Sequence, residues 1–324
     1  VLSGYRSRRT LGETKALIDA VAGSLGLVLL VITVVAVVAA PLLAMVFAPG
    51  FLDDDAKFAQ TIHMLRITFP YLLLISLTAF AGAVLNSYDN FAIPALTPVL
   101  LNLSLIGAAF GLTGAVSEPV FALAWGGLIA GVAQLLFQLP FLARMGLLPM
   151  PVLGFGHPGV RRILTLMTPA MFGVSVSQIN LLLDTLLASF LATGSVSWLY
   201  YSDRLTELPL GLFGIAIATV ILPSLSRRHA ETDQTRFSQT LDWGVRAVLL
   251  IGAPATLALA VLAVPLLSTL FQHGAMTDTD VLMAAGSLRA YALGLLFFML
   301  IKVLAPGYFA KHDMRTPMLI AVAV

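Results

Sequence analysis

Residues Leu199–Arg227 read LYYSDRLTELPLGLFGIAIATVILPSLSR, and the two halves of this stretch demand one setting. From Leu208 to Ser226 no residue is charged, close to the roughly 20 apolar residues that cross a bilayer as a helix. Immediately before that run stand Asp203, Arg204 and Glu207. A bilayer core tolerates ionisable groups poorly, so such residues line a polar path or hold a bundle together. Working outward, uncharged runs recur at 20–52, 67–88, 90–117, 119–143, 163–183 and 247–277. A transmembrane barrel would show shorter segments of alternating polarity. The expected class is therefore all-α, a polytopic helical membrane protein.

Composition agrees, with 59% hydrophobic and 10% charged residues and a mean hydropathy of +0.97. There are no cysteines, which excludes disulfides and thiolate metal sites. The net charge is +2, and the basic residues form no stripe of the kind that binds nucleic acid, so no nucleic-acid partner is expected. The five histidines are scattered without ligand spacing, and no metal site is expected. The chain starts without methionine in a polar stretch and stops inside a new apolar run at 318–324, so a fragment is expected.

Eight complete spans are read near 20–47, 57–86, 93–114, 119–145, 162–193, 196–227, 237–272 and 279–310. Turn chemistry marks the joints, as at Ala48-Pro49-Gly50 and Thr193-Gly194-Ser195. Successive loops then alternate in charge. One side carries basic clusters such as Arg6, Arg8, Arg9, Arg161, Arg162, Arg227 and Arg228. The other carries only Lys57, with Asp53, Asp54, Asp55, Glu118, Asp278 and Asp280. The positive-inside rule makes the first side cytoplasmic. The expected organisation is a cytoplasmic loop at 1–19, the rest of an N-terminal lobe at 20–147, a cytoplasmic inter-lobe loop at 148–161, and a partial C-terminal lobe at 162–324.

An internal repeat supports two lobes. PLLAMVFAPG at 41–50 matches PLLSTLFQHG at 265–274, and Leu65-Arg66 precedes Pro94 as Leu288-Arg289 precedes Pro317, at an offset of about 223. Six spans separate the copies, so both enter the membrane from the same side, as in a parallel repeat. The architecture expected is two pseudo-symmetric six-helix lobes around a central cavity.

The charged residues then admit paired readings. Asp203, Arg204 and Glu207 share one helix surface; either Arg204 is presented to a cavity for an anionic headgroup, a task suited to its planar fork, or the three form a local ion-pair network that locks helices together. Asp184 and Arg204 lie ten residues either side of Gly194. Either they form a structural salt bridge, or Asp184 helps to bind a cation with Asn180. Arg66 and its mate Arg289 either widen a positive cavity surface or snorkel to outer headgroups. Pro70, Pro140, Pro169, Pro209, Pro223, Pro254 and Pro306 fall within or near spans and are expected kinks, with Pro209 and Gly211 directly beside the charge cluster. No HExxH, GxSxG or Walker A string occurs, so an enzyme is not expected.

Several strings are specific. FAPGF at 47–51, VLNSYDNFAIPALTPVLLN at 84–102, QINLLLDTLLASFLATGSVSWLYYSDRL at 178–205, ELPLGLFGIAIATVILPSLS at 207–226, LDWGVR at 241–246 and KVLAPGYFAKHDMRTP at 302–317 resemble the MurJ (MviN) family of lipid II flippases, within the MOP exporter superfamily. The resemblance runs over essentially the whole chain. It implies fourteen helices in the complete protein, of which this chain covers the third through tenth. It further implies translocation of undecaprenyl-diphosphate-linked disaccharide-pentapeptide (lipid II) to the periplasmic leaflet of the bacterial cytoplasmic (inner) membrane. Arg204 matches an essential cavity arginine, with Asp203 and Glu207 beside it, and Ser197 matches a cavity-facing position. Asp184 matches a position that is acidic in some members, where it contributes to a sodium site, and neutral in others. The remaining cavity arginines and sodium ligands are implied to lie before Val1 and after Val324. Lipid II, membrane lipids and cell-wall synthesis machinery are the partners implied, and Na+ is the implied coupling ion, with no cofactor. The rival readings are another MOP exporter, for O-antigen-type lipid-linked sugars or drugs, and a non-transporting scaffold for cell-wall assembly.

Overall fold

The computed structural model describes residues 2, 5, 6, 9–230, 233–310, 313, 316, 317, 319 and 320, without the side chains at 169, 170, 172–174, 176, 177, 180, 222, 223, 226–230 and 309. Among these residues every regular element is a helix. In chain order they are α1 (Leu11–Val38), α2 (Ala40–Phe47), α3 (Asp55–Ser87), α4 (Ala92–Gly111), α5 (Pro119–Arg144), α6 (Pro158–Ser189), α7 (Ser195–Pro209), α8 (Ala216–Ala230), α9 (Gln234–Val261), α10 (Ala263–Phe271) and α11 (Asp278–Ala310). A π-helical turn, Leu210–Ile215, joins α7 to α8. Among the described residues seven stretches are long and apolar enough to cross a membrane: α1, α3, α4, α5, α9, the α7–α8 segment from Ser195 to Ile221, and α11 to Tyr308. The remaining long helix, α6, has 32 residues. This is a multi-pass helical membrane protein.

The repeat is written into the helix ends. α1 and α9 each have 28 residues, α3 and α11 each have 33, and each mate begins 223 positions after the first. Thr10 caps α1, accepting from the Glu13 amide in a capping box; Asp233 caps α9, accepting from the Arg236 amide. Both long helices then stop at matched breaks, Ala39 (φ −82°, ψ 8°) and Leu262 (φ −90°, ψ 13°). Pro41 and Pro265 explain them. Each lacks the N–H that the carbonyl four residues back needs, and each ring crowds that carbonyl. The spans expected as single helices at 20–47 and 237–272 are therefore each a long helix followed by a short one.

The chain forms two compact units, 1–190 and 191–324. In the first, small residues let helices approach closely, as in other membrane bundles. A Cβ on Gly126 would stand 2.6 Å from Ala108 Cβ, and one on Gly131 would stand 2.8 Å from the Tyr71 ring. The loop before α6 lies against α1, where the Met150 amide donates to Asp19 Oδ1 at 2.7 Å and the Gly154 amide to Ser24 Oγ at 3.1 Å. The end of α6 is also held within this unit. Gly50 N–H donates to Ser189 Oγ at 3.1 Å, and a Cβ on Gly50 would fall 2.1 Å from the Ser189 carbonyl oxygen. By packing, then, the division falls after Phe190, one helix later than the 148–161 loop that divides the lobes by repeat counting.

The second unit is organised on α11. Ala284, Ala285, Leu288, Ala292, Leu295, Met299 and Val303 are all fully buried, and their three-and-four spacing forms one helix face. That face packs with Leu205 of α7, Ile221 and Leu225 of α8, and Val248 and Leu259 of α9.

Candidate functional site

The site is built on α7, whose two faces differ in chemistry. Ser195, Ser202, Leu205, Thr206 and Pro209 are buried, and this back face is tied to α11. Trp198 Nε1 donates to Asp280 Oδ1 at 2.8 Å, and the Ser202 hydroxyl donates toward the Ala284 carbonyl at 2.9 Å. The helix starts at Gly194, whose φ of +104° only glycine adopts readily. A Cβ there would also meet the Trp198 ring at 2.9 Å.

The opposite face presents Ser197, Tyr200, Arg204 and Glu207, all exposed and spaced three, four and three residues apart, which aligns them along one stripe. Arg204 Nη1 donates to Glu207 Oε2 at 2.6 Å, with both side chains 52% exposed. The Arg204 guanidinium also lies over the Tyr200 ring, 4.9 Å from its centroid, in cation–π geometry. Asp203 sits beside this stripe, half-buried. An i,i+3 pair of this exposure contributes at most about 1 kcal/mol, and it ties the helix only to itself. The Arg204–Glu207 pair therefore orients a guanidinium and does not cross-link α7 to another helix.

Directly after the stripe, the chain widens into the π-helical turn Leu210–Ile215. It follows Pro209 and contains Gly211, the two residues at which a bend was expected. π turns appear mostly as single turns inside α-helices, frequently next to functional residues.

The other sequence-derived residues fall elsewhere. Arg66 lies exposed on α3, and Asp184 lies exposed on α6; both are in the first unit. The Asn180 side chain lies outside the described residues. Arg289, the mate of Arg66, donates from Nε to the Ala260 carbonyl at 3.3 Å. Tyr200 is the residue that the charge pattern missed. Its signal was the Tyr-Tyr-x-Asp-Arg string itself, because a tyrosine four residues before an arginine shares its face.

A family model described as lipid II flippase MurJ matches residues 2–324. The chain is similar to the probable lipid II flippase MurJ of Vibrio cholerae serotype O1, with 49% identity over 98% of this chain and 62% of that protein. It is equally similar to the probable lipid II flippase MurJ of Haemophilus influenzae, with 49% identity over 99% of this chain and 66% of that protein. The lipid II flippase MurJ of Burkholderia cenocepacia is 43% identical over 100% of this chain and 64% of that protein. A solved structure of lipid II flippase MurJ in an inward closed conformation superposes with a TM-score of 0.84 at 26% identity, over 98% of this chain and 66% of that one. The chain thus spans slightly less than two thirds of these relatives' length.

Proposed function

This chain belongs to the MurJ family of lipid II flippases, and from that premise we propose that the full-length protein moves lipid II across the bacterial cytoplasmic membrane. The cargo is undecaprenyl-diphosphate-linked disaccharide-pentapeptide, carried from the cytoplasmic to the periplasmic leaflet by alternating access. The protein acts as a transporter and not as an enzyme. Besides lipid II and the surrounding lipids, its partners include the cell-wall synthesis machinery.

The observation that carries this reading is the exposed Arg204, held by Tyr200 and Glu207 on a helix whose other face is anchored to α11. A guanidinium offers paired, charge-assisted donors that match phosphate oxygens. Glu207 balances the charge until a diphosphate arrives, and Tyr200 keeps the fork from collapsing along the helix. Ser197 and Asp203 flank the same stripe and complete the headgroup site. Sodium coupling enters through Asp184 alone among the described residues. One carboxylate is not a cation shell, since hard cations take about six oxygens, so no step is assigned to the ion.

The test is leaflet-resolved lipid II accessibility in cells depleted of the native protein and complemented with full-length wild type or Arg204→Ala. Wild type alone should restore outward access. Equal rescue by a stably produced Arg204→Ala protein removes Arg204 from the mechanism.

A further inference from the structure

The first unit contains a groove of about 420 Å³ between α3, α4 and α5, apart from the α7 stripe. Its polar lining comes from Tyr71, Thr78, Asn86, Thr97, Gln134 and Gln138. The two glutamines are 2% and 1% exposed, although both lie on a membrane-spanning helix. Each is anchored on α4. Gln134 Nε2 donates to the Thr97 carbonyl at 3.0 Å, and Gln138 Nε2 donates to Thr97 Oγ1 at 3.0 Å. The Thr97 hydroxyl in turn donates to the Ile93 carbonyl at 3.4 Å, which leaves it accepting from Gln138 and sets the amide's orientation. Gln138 Oε1 is then buried without a hydrogen-bond partner among the described residues. It faces Gly82, where an added Cβ would stand 3.6 Å from it, and Gly82 also lines the groove.

A buried acceptor left unpaired is costly, more so where no bulk water reaches. The chemistry that would satisfy it follows from the lining. Among the described residues no lysine or arginine lines the groove, so none of them there would hold a phosphate. No described aspartate or glutamate lines it either, so a cation would be dehydrated without a counter-charge, an expensive arrangement in low dielectric. What remains is a neutral group that donates hydrogen bonds, such as a hydroxyl or an amide N–H.

Position narrows the source. Gln138 lies six residues before Arg144, the basic end of α5, or about 9 Å at 1.5 Å per residue, and Asn86 lies in the last turn of α3. Both ends are on the basic, cytoplasmic side, where the cargo would be collected. We propose that this groove binds the neutral sugar–peptide part of the lipid-linked cargo, with Gln138 Oε1 accepting from a hydroxyl or amide N–H. This rests on the lipid II reading above and deepens it, separating recognition of the headgroup's neutral part from recognition of its diphosphate.

The experiment measures binding of radiolabelled lipid II and of undecaprenyl diphosphate, which lacks sugar and peptide, to the full-length protein in nanodiscs. Gln138→Met keeps volume and removes the acceptor. Gly82→Ala leaves Gln138 in place and covers it with a methyl at ordinary contact distance from Pro94 and Oε1, 3.4–3.6 Å. Both variants should weaken lipid II binding about three- to tenfold, the worth of one hydrogen bond, and leave undecaprenyl diphosphate unchanged. Equal losses for the two ligands, or unaltered lipid II binding, overturn the proposal; the latter leaves water alone in the groove. If Gln138→Met does not fold, Gly82→Ala decides. Wild-type protein that binds neither ligand defeats the lipid II reading itself, and this inference falls with it.

Discussion

α3 and α11 have the same length and start at equivalent positions, yet they pack against different partners. α11 turns a stripe of alanine, leucine, methionine and valine into a dry core. α3 gives its bundle only short apolar clusters and faces two buried glutamines through Tyr71, Thr78 and Gly82. The repeat therefore preserves where helices start, break and stop, while leaving each copy free to change what it packs. Helix ends are set by a few caps and prolines. Interiors are set by partners, and the partners differ.

The comparison can be broken or sharpened experimentally. The largest effect should come from the charges. Arg204→Ala should lower outward lipid II access about 10- to 100-fold, as expected when hydrogen bonds to a charged group are lost, with Arg204→Lys intermediate because an ammonium lacks the planar fork. Arg66→Ala should change access only a few-fold. Equal losses would mean that Arg66 matters to transport as much as Arg204 does.

Core packing comes next. Leu288 is fully buried, and its mate Leu65 is half-buried. Leu288→Ala should cost about 2–5 kcal/mol in denaturant unfolding from detergent, and Leu65→Ala less than half as much. The caps should behave alike, since they belong to the shared helix ends. Thr10→Ala and Asp233→Ala should each cost about 1 kcal/mol; a large difference would show that the two copies do not use their caps equally.

The smallest effect concerns Asp54, the N-cap of α3. Its carboxyl is held below the usual carboxylate range, chiefly by the hydrogen bond from the Lys57 backbone N–H. A lowered folded-state value means that this stabilisation is present above the ordinary carboxylate pKa and is lost as pH falls through the lowered one. Amide exchange at Lys57, corrected for its intrinsic pH dependence, should lose protection in that acid window. Protection that does not change there would show that the cap does not depend on the charge.

Much of this was legible in the residues because membrane helices announce themselves by length and apolarity. The repeat, seen again in the matched helix lengths and starts, follows from local signals. The breaks at Ala39 and Leu262 were less visible. Pro41 and Pro265 sit inside runs apolar enough to pass for one span, whereas Pro70, Pro98, Pro140, Pro254 and Pro306 lie within continuous helices. Tyr200 and the glutamines were missed for a different reason. One polar residue among apolar ones has no meaning until its neighbours are known, and Thr97 is 37 and 41 positions from Gln134 and Gln138. The grouping of α6 with the first unit is likewise a matter of close backbone approach at Gly50, which no local pattern encodes.

The π-helical turn between Arg204 and α8 has one further consequence. It holds a surplus residue in a single wide loop of the helix. A change to ordinary α geometry would have to pass that residue along the chain, and one residue of an α-helix is about 100° of rotation and 1.5 Å of travel. In such a change the segment would act as a screw with one spare thread. Letting it slip by a single notch would swing the arginine to a new bearing without unfolding the helix that carries it.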